Sequence, residues 1–355
     1  MNKKTLIILT PAFPSSDASK EESIWVPAKQ RLIKCINRLY PDIEIIILSF
    51  QFPLSKKEYN WNRNIVIPFA GGNKHNWQNK LTWLNVFNKL RKLQSKKNII
   101  GLLSFWYAEC AFVGHYFSKL YHLKHVCWIS GQDAKGSNIF ARRIRSAAEE
   151  LAAMSDFLMN EFEKNHHIRP AHLIPNAIDV CQFKLKKYAR SIDIIGIGGL
   201  SPLKQYDVYI EVISKLRSDF PNIDAYLCGD GEEREKLEVQ IERLELEDNI
   251  TLTGKISQDE VFELLQQSRI LLHTSNFEGF GNVCIEALYA GAHVISFIQP
   301  MQQDIPHWHI VNSKEEMIQK ALSLLYDKSL KNDSVLPFNM NDSAEKFMHL
   351  FLGQK

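Results

Sequence analysis

The sequence predicts an α/β protein built on two doubly wound parallel sheets, and three observations predict it. Strand-length apolar runs alternate with helix-length stretches along the whole chain. The 355 residues exceed what one core comfortably holds and suit two domains. The pattern then breaks at Ile174-Pro175-Asn176-Ala177-Ile178-Asp179, where the charge balance also changes sign. Residues 1–178 hold 25 Lys/Arg against 13 Asp/Glu, a net +12, and the remainder 18 against 27, a net −9. The linker is placed there, dividing the chain into residues 1–178 and 179–339, with 340–355 as a terminal helical segment.

In the first domain the runs predict strands at Thr5–Leu9, Ile43–Leu48, Asn64–Ile67, Ile99–Leu103, His125–Ile129 and Asp156–Met159. Helices are predicted over Ile24–Leu39, Ala108–Tyr121 and Ala141–Ala153. The basic, apolar start reads as a first strand rather than a signal peptide, because Pro11 and Pro14 come next with no small-residue cleavage site. Ligands of such sheets sit beyond the carboxyl ends of the strands, which makes Thr10–Glu22 a candidate acceptor loop. Trp77–Gln94 is amphipathic, with Trp83, Val86, Phe87, Leu90 and Leu93 on one face and Asn85, Lys89, Lys92 and Lys96 on another. It has two readings, an interfacial helix on anionic lipid or a helix packed on its own sheet with a solvated lysine face. After Ile129 comes the turn Ser130-Gly131-Gln132-Asp133. Asp133 there is either a ligand contact or a turn-closing cap.

The second domain opens with Ile192–Leu200, a strand running into Gly196, Gly198 and Gly199, and then a helix start that carries Lys204. A dinucleotide fingerprint fails at Ser201. Further strands are expected at Ala225–Cys228, before the turn Gly229-Asp230-Gly231, and at Asn249–Ile256. Leu271–Ser296 then reads strand, tight loop, helix, strand: the loop is Glu278-Gly279-Phe280-Gly281-Asn282, and the helix runs from Val283 to Gly291. Such an arrangement points backbone amides at an anion. Glu278 in the loop and Glu286 one turn into the helix flank that N-terminus and can accept hydrogen bonds from hydroxyl groups. A ligand with a phosphate and hydroxyls is a nucleotide sugar.

This stretch resembles the E-x7-E signature of the retaining family 4 glycosyltransferases of GT-B fold. The resemblance implies that Glu278 contacts the donor sugar, Glu286 the ribose, and the amides of Gly279, Phe280, Gly281 and Asn282 the diphosphate. Gly198 to Asp207 is similar to the family's G-R-L-x-x-x-K-G-x-D element, which implies that Lys204 grips the diphosphate while Gly199 stands where the family has Arg. The strand ending at Ile256 lends backbone groups to the base. Ser130–Asp133 resembles the HG-x-D turn over the donor sugar, with Ser130 in place of His, and Asp133 is expected to contact donor or acceptor. Ile174–Asp179 resembles the family's hinge, with Ala177 in place of Gly. Ser15-Ser16-Asp17 stands where members often carry a Gly-Gly pair. The implied fold is two facing Rossmann-like domains, an N-terminal acceptor domain joined by the terminal helix 340–355 and a C-terminal donor domain.

The expected activity is therefore a retaining, metal-independent hexosyl transfer from a nucleotide sugar to an acceptor hydroxyl. Lys204, Glu278 and Asp133 are its catalytic candidates, and no cofactor is expected beyond the co-substrate. A UDP-sugar is taken as the working donor, since backbone contacts to the base leave no side-chain signature. The acceptor is expected to be a sugar or lipid-linked molecule in polysaccharide or glycolipid assembly. Three departures (Gly199, Ser130 and the missing Gly-Gly pair) keep open a non-catalytic nucleotide-sugar-binding protein, and a GT-B-fold epimerase is a third reading. His307-Trp308-His309 and His166-His167 lack a third ligand and read as packed or surface residues. The six scattered cysteines read as buried thiols of a reducing cytoplasm. No apolar run nears the roughly 20 residues of a membrane span. The basic first half suits an anionic membrane surface, or simple solvation, and no nucleic-acid partner is expected.

Overall fold

A computed structural model describes residues 3–15, 27–73 and 77–353, the side chains of 77 and 78 apart. The candidate acceptor loop, including Ser16 and Asp17, lies from residue 16 onward outside the described residues. In chain order the elements are β1 (Lys4–Ala12), α1 (Pro27–Leu39), β2 (Glu44–Phe52), β3 (Tyr59–Trp61), β4 (Asn64–Pro68), α2 (Trp77–Gln94), β5 (Asn98–Phe105), α3 (Glu109–Tyr121), β6 (His125–Ile129), α4 (Ile139–Ile144), β7 (Leu151–Ala153), α5 (Asp156–His166) and β8 (His172–Leu173). They continue with β9 (Ile192–Ile197), α6 (Tyr206–Leu216), β10 (Ala225–Cys228), α7 (Arg234–Arg243), β11 (Ile250–Gly254), α8 (Gln258–Gln267), β12 (Ser268–His273), α9 (Asn282–Ala290), β13 (His293–Ser296), β14 (Trp308–Ile310), α10 (Lys314–Tyr326) and α11 (Met340–Leu352). Two compact units result, one of residues 1–179 with 340–355 and one of 180–339. Each is Rossmann-like, so the fold class is α/β as predicted.

The first unit's sheet runs β3-β4-β2-β1-β5-β6-β7-β8, parallel except for the antiparallel hairpin partner β3. Its central strands are continuous apolar runs, as strands covered on both faces must be. Leu6 to Leu9 and Ile45 to Leu48 are all buried. α11 belongs to this unit because β5 leaves it room: a Cβ on Gly101 would lie 2.5 Å from the Phe351 ring. Phe347 packs edge-on against Trp128, and Asn341 accepts a hydrogen bond from Arg38 at 2.9 Å.

Two local expectations are overturned. Asp156–Met159 is not a strand but the first turn of α5, because the Ser155 hydroxyl accepts the Leu158 amide and caps a helix there. The helix predicted over Ala141–Ala153 stops at Ile144, where Arg145 turns left-handed, and the chain resumes as strand β7. The amphipathic α2 packs on its own sheet, with Val86 and Leu90 fully buried and Trp83 donating to Glu109 at 3.2 Å. Cys181 is exposed, unlike the other five thiols, and none of the six is in a disulfide.

The second unit's sheet runs β11-β10-β9-β12-β13-β14, all parallel. Its strand ends approach closely at Gly229, where a Cβ would come 1.9 Å from the Gly198 carbonyl oxygen. Glycine is required there. Among the described residues no helix is long and apolar enough to cross a membrane.

Candidate functional site in the C-terminal unit

The neighbours β9 and β12 end side by side, and the loops beyond them are tied together. Thr274 donates its hydroxyl to the Lys204 carbonyl at 2.7 Å, and the Asn276 amide donates to the Leu203 carbonyl at 3.3 Å. A 3-10 turn over Pro202–Lys204 and a left-handed Gln205 bring Lys204 back over the strand end. Its stem lies along Gly198, where a Cβ would meet the Lys204 Cε at 3.5 Å and the Tyr206 hydroxyl at 2.7 Å. The ammonium then reaches Glu278 Oε2 at 2.5 Å. Two residues 74 positions apart, singled out separately in the sequence, are thus in direct contact.

Electrostatics make Glu278 a firm carboxylate. Burial alone would raise its pKa, but the His273 ring beside it and the Lys204 charge outweigh it and pull the group down to about 2. His273, the last residue of β12, is 5% exposed and places Nε2 3.7 Å from the same Oε2. Its own pKa is lowered, first by burial and further by the Lys204 charge. Sequence reasoning missed His273 and Thr274. The only signal was a polar His-Thr-Ser run at the end of an apolar strand.

The second acid sits deeper. Glu286 is 6% exposed in the first half of α9, and Gln258 at the start of α8 donates to its Oε1 at 3.4 Å. Gln258, also missed, lies two residues beyond the half-buried Ile256. Between the acids the chain enters α9 through Gly281, left-handed at φ 72, which has no side chain to cap the first amides. Phe280 is buried and packs edge-on against Phe338, fixing the loop that carries Gly279 and Asn282. This edge therefore combines an ammonium, a helix N-terminus, a half-buried carboxylate and a buried one, the chemistry that recognises phosphate beside hydroxyl groups.

Other candidates fall elsewhere. At Gly199 a Cβ would meet nothing nearer than the Asp230 carbonyl at 3.9 Å, so the position has room for a side chain and supplies none. Asp133 lies in the first unit, where its carboxylate accepts the Ser130 amide at 2.8 Å and closes the turn. Burial raises its pKa to about 7. His307 and His309 gain a third imidazole, His293 of β13, but the three rings stack instead of converging. Among the described residues no three His, Cys, Asp or Glu are grouped to hold a metal.

Residues 178–332 match the family model described as glycosyl transferases group 1. The gpi3 subunit of Schizosaccharomyces pombe phosphatidylinositol N-acetylglucosaminyltransferase is 32% identical over 127 residues, 35% of this chain and 28% of that protein. The 2-deoxystreptamine N-acetyl-D-glucosaminyltransferase of Niallia circulans is 31% identical over 143 residues, 40% of this chain and 37% of that one. The matched stretch thus spans about a third of these relatives' length. Among solved structures, a glycosyltransferase from Rickettsia africae superposes with TM-score 0.75 at 17% identity, each chain fully covered. HepE of Anabaena, in complex with UDP and glucose, superposes with TM-score 0.69 at 16% identity, covering 99% of this chain and all of that one. The chain has the GT-B fold of these glycosyltransferases.

Proposed function

We propose that the protein is a retaining glycosyltransferase that moves a sugar from a nucleotide-sugar donor, held on the C-terminal unit, to an acceptor hydroxyl. The observation that carries the reading is the Lys204–Glu278 contact at the N-terminal approach to α9. Lys204 and the amides of Phe280, Gly281 and Asn282 take the diphosphate, Glu278 the donor sugar hydroxyls, Glu286 the ribose, and the end of β11 near Ile256 the base. The acceptor attacks the anomeric carbon from the face that the diphosphate leaves: a C–O bond to the acceptor forms, the bond to phosphate breaks, and the acceptor's proton departs with the nucleoside diphosphate. The protein supplies charge stabilisation and alignment, and the reading needs no metal.

The two relatives named as N-acetylglucosaminyltransferases support UDP-N-acetylglucosamine as the first donor to test. A lipid-linked or glycolipid acceptor, handled from the cytoplasm at a membrane surface, is supported by two features. One relative's name contains phosphatidylinositol. On the first unit, exposed Leu81, Leu84, Tyr116 and Leu120 of α2 and α3 stand among exposed Lys80, Arg91, Lys92 and Lys119. Asp133 is assigned to the acceptor side. The test is a thermal-shift screen across UDP-, GDP- and ADP-sugars, and then nucleoside diphosphate release from the donor that raises the melting point. A melting point that no nucleotide sugar moves overturns the reading. The unfilled Gly199 position favours a second reading, a nucleotide-sugar-binding protein without transfer. It predicts a melting-point shift with no diphosphate release, with or without acceptor.

A further inference from the structure

Lys204 is already occupied. Its ammonium lies on Glu278, so the charges of that pair cancel while His273 is neutral. A diphosphate brings negative charge and draws the same ammonium, and Glu278 then loses part of its counter-ion. The group placed to replace it is His273, which faces the same carboxylate oxygen. Its Nε2 faces the Glu278 carboxylate, which favours its protonation. Nδ1 is buried with no hydrogen-bond partner, an arrangement that is unfavourable for a polar group. Ser275, 3.4 Å from Nε2, can either donate or accept. Lys204, from the turn before α6, is the other charge acting on His273; Glu278 in turn faces Tyr206 of α6 and Cys284 of α9, both held neutral by burial, and Glu286 acts on Cys284.

We propose that His273 is a positioning residue that becomes the second cation of the donor site: it takes up a proton as the diphosphate draws Lys204, and so holds Glu278 against the donor sugar. The inference rests on the nucleotide-sugar reading of this site. It supplies from the strand end the charge that Gly199 does not. Linkage sets the sign. In the free protein burial and the Lys204 charge keep His273 neutral at neutral pH; phosphate nearby, with Lys204 shared, raises its affinity for a proton. Donor affinity therefore increases as pH falls through the bound-state titration of His273, and levels off below its free-state titration.

Isothermal calorimetry with UDP-N-acetylglucosamine tests this, since its diphosphate diester has no proton of its own to exchange near neutral pH. Binding is measured in buffers of different ionisation enthalpy. The wild type is expected to take up close to one proton per site, and its Kd to tighten by up to about tenfold per pH unit within the linkage window. His273→Gln keeps a hydrogen-bond donor for Glu278 but cannot titrate, so it should bind with no proton uptake and a flat pH profile. Glu278→Gln removes the carboxylate that calls for the proton and should lose the uptake too. Uptake that persists in folded His273→Gln, or wild-type binding with none, overturns the proposal and leaves the donor site standing. Absence of any binding by the wild type overturns both.

Discussion

Replacing Lys204 with Ala removes one ammonium and leaves the Glu278 carboxylate half-buried with only His273 beside it. Glu278 sits at about 2 against an ordinary 4.5 because His273 and Lys204 together outweigh its burial. That depression is worth roughly 3 kcal/mol of carboxylate stabilisation at neutral pH, and the ion pair at 2.5 Å supplies a share of it. Lys204→Ala should therefore lose roughly 1–2 kcal/mol of folding stability near neutral pH, after allowance for the pair's partial exposure. Because the folded-state pKa is depressed, this contribution is complete above 4.5 and disappears as pH falls toward 2. Urea denaturation of both proteins should show a gap that narrows on acidification through that window. Turnover should fall further, by about 10²–10³, the scale of removing one oxyanion-type donor, read as nucleoside diphosphate release. Turnover within a few-fold of wild type would refute the role of Lys204 at the diphosphate. A stability gap unchanged by acid would refute the ion pair as a cause of the low Glu278 pKa.

Gly229→Ala forces a Cβ to 1.9 Å from the Gly198 carbonyl oxygen, and should cost about 3 kcal/mol or more, seen as a lowered urea midpoint. Asp133, held near 7 by burial instead of 3.8, keeps its proton in the folded state while the unfolded chain releases it. Wild-type stability should therefore decline as pH rises from 3.8 to about 7, and Asp133→Asn should flatten that decline. Ser257→Ala removes the N-cap of α8, where Ser257 Oγ accepts the Glu260 amide, and should cost about 1 kcal/mol by thermal unfolding. Reversing Arg91 and Lys92 to Glu should abolish co-sedimentation with anionic phosphatidylglycerol vesicles while leaving the melting point within a degree or so, since both are exposed.

The alternation of strands and helices, and with it the parallel sheets, was legible in the amino-acid order. A central parallel strand must be apolar on both faces, and runs such as Leu6–Leu9 and Leu271–Leu272 have no other use at that length. The same order marked Lys204, Glu278 and Glu286, because glycine loops and helix starts leave local traces. Short elements escaped it: a single Ser155 cap turned an apolar run into α5, and a left-handed Arg145 cut the preceding helix short. Which strand ends lie side by side was settled by the folded chain alone. That adjacency of β9 and β12 sets Lys204 on Glu278, which His273 meets from the end of β12, while the packing of α8 against α9 aims Gln258 at Glu286. Contacts across many residues leave no periodicity in a chain, so a glutamine at the start of α8 carries no sign of the carboxylate it will meet on α9.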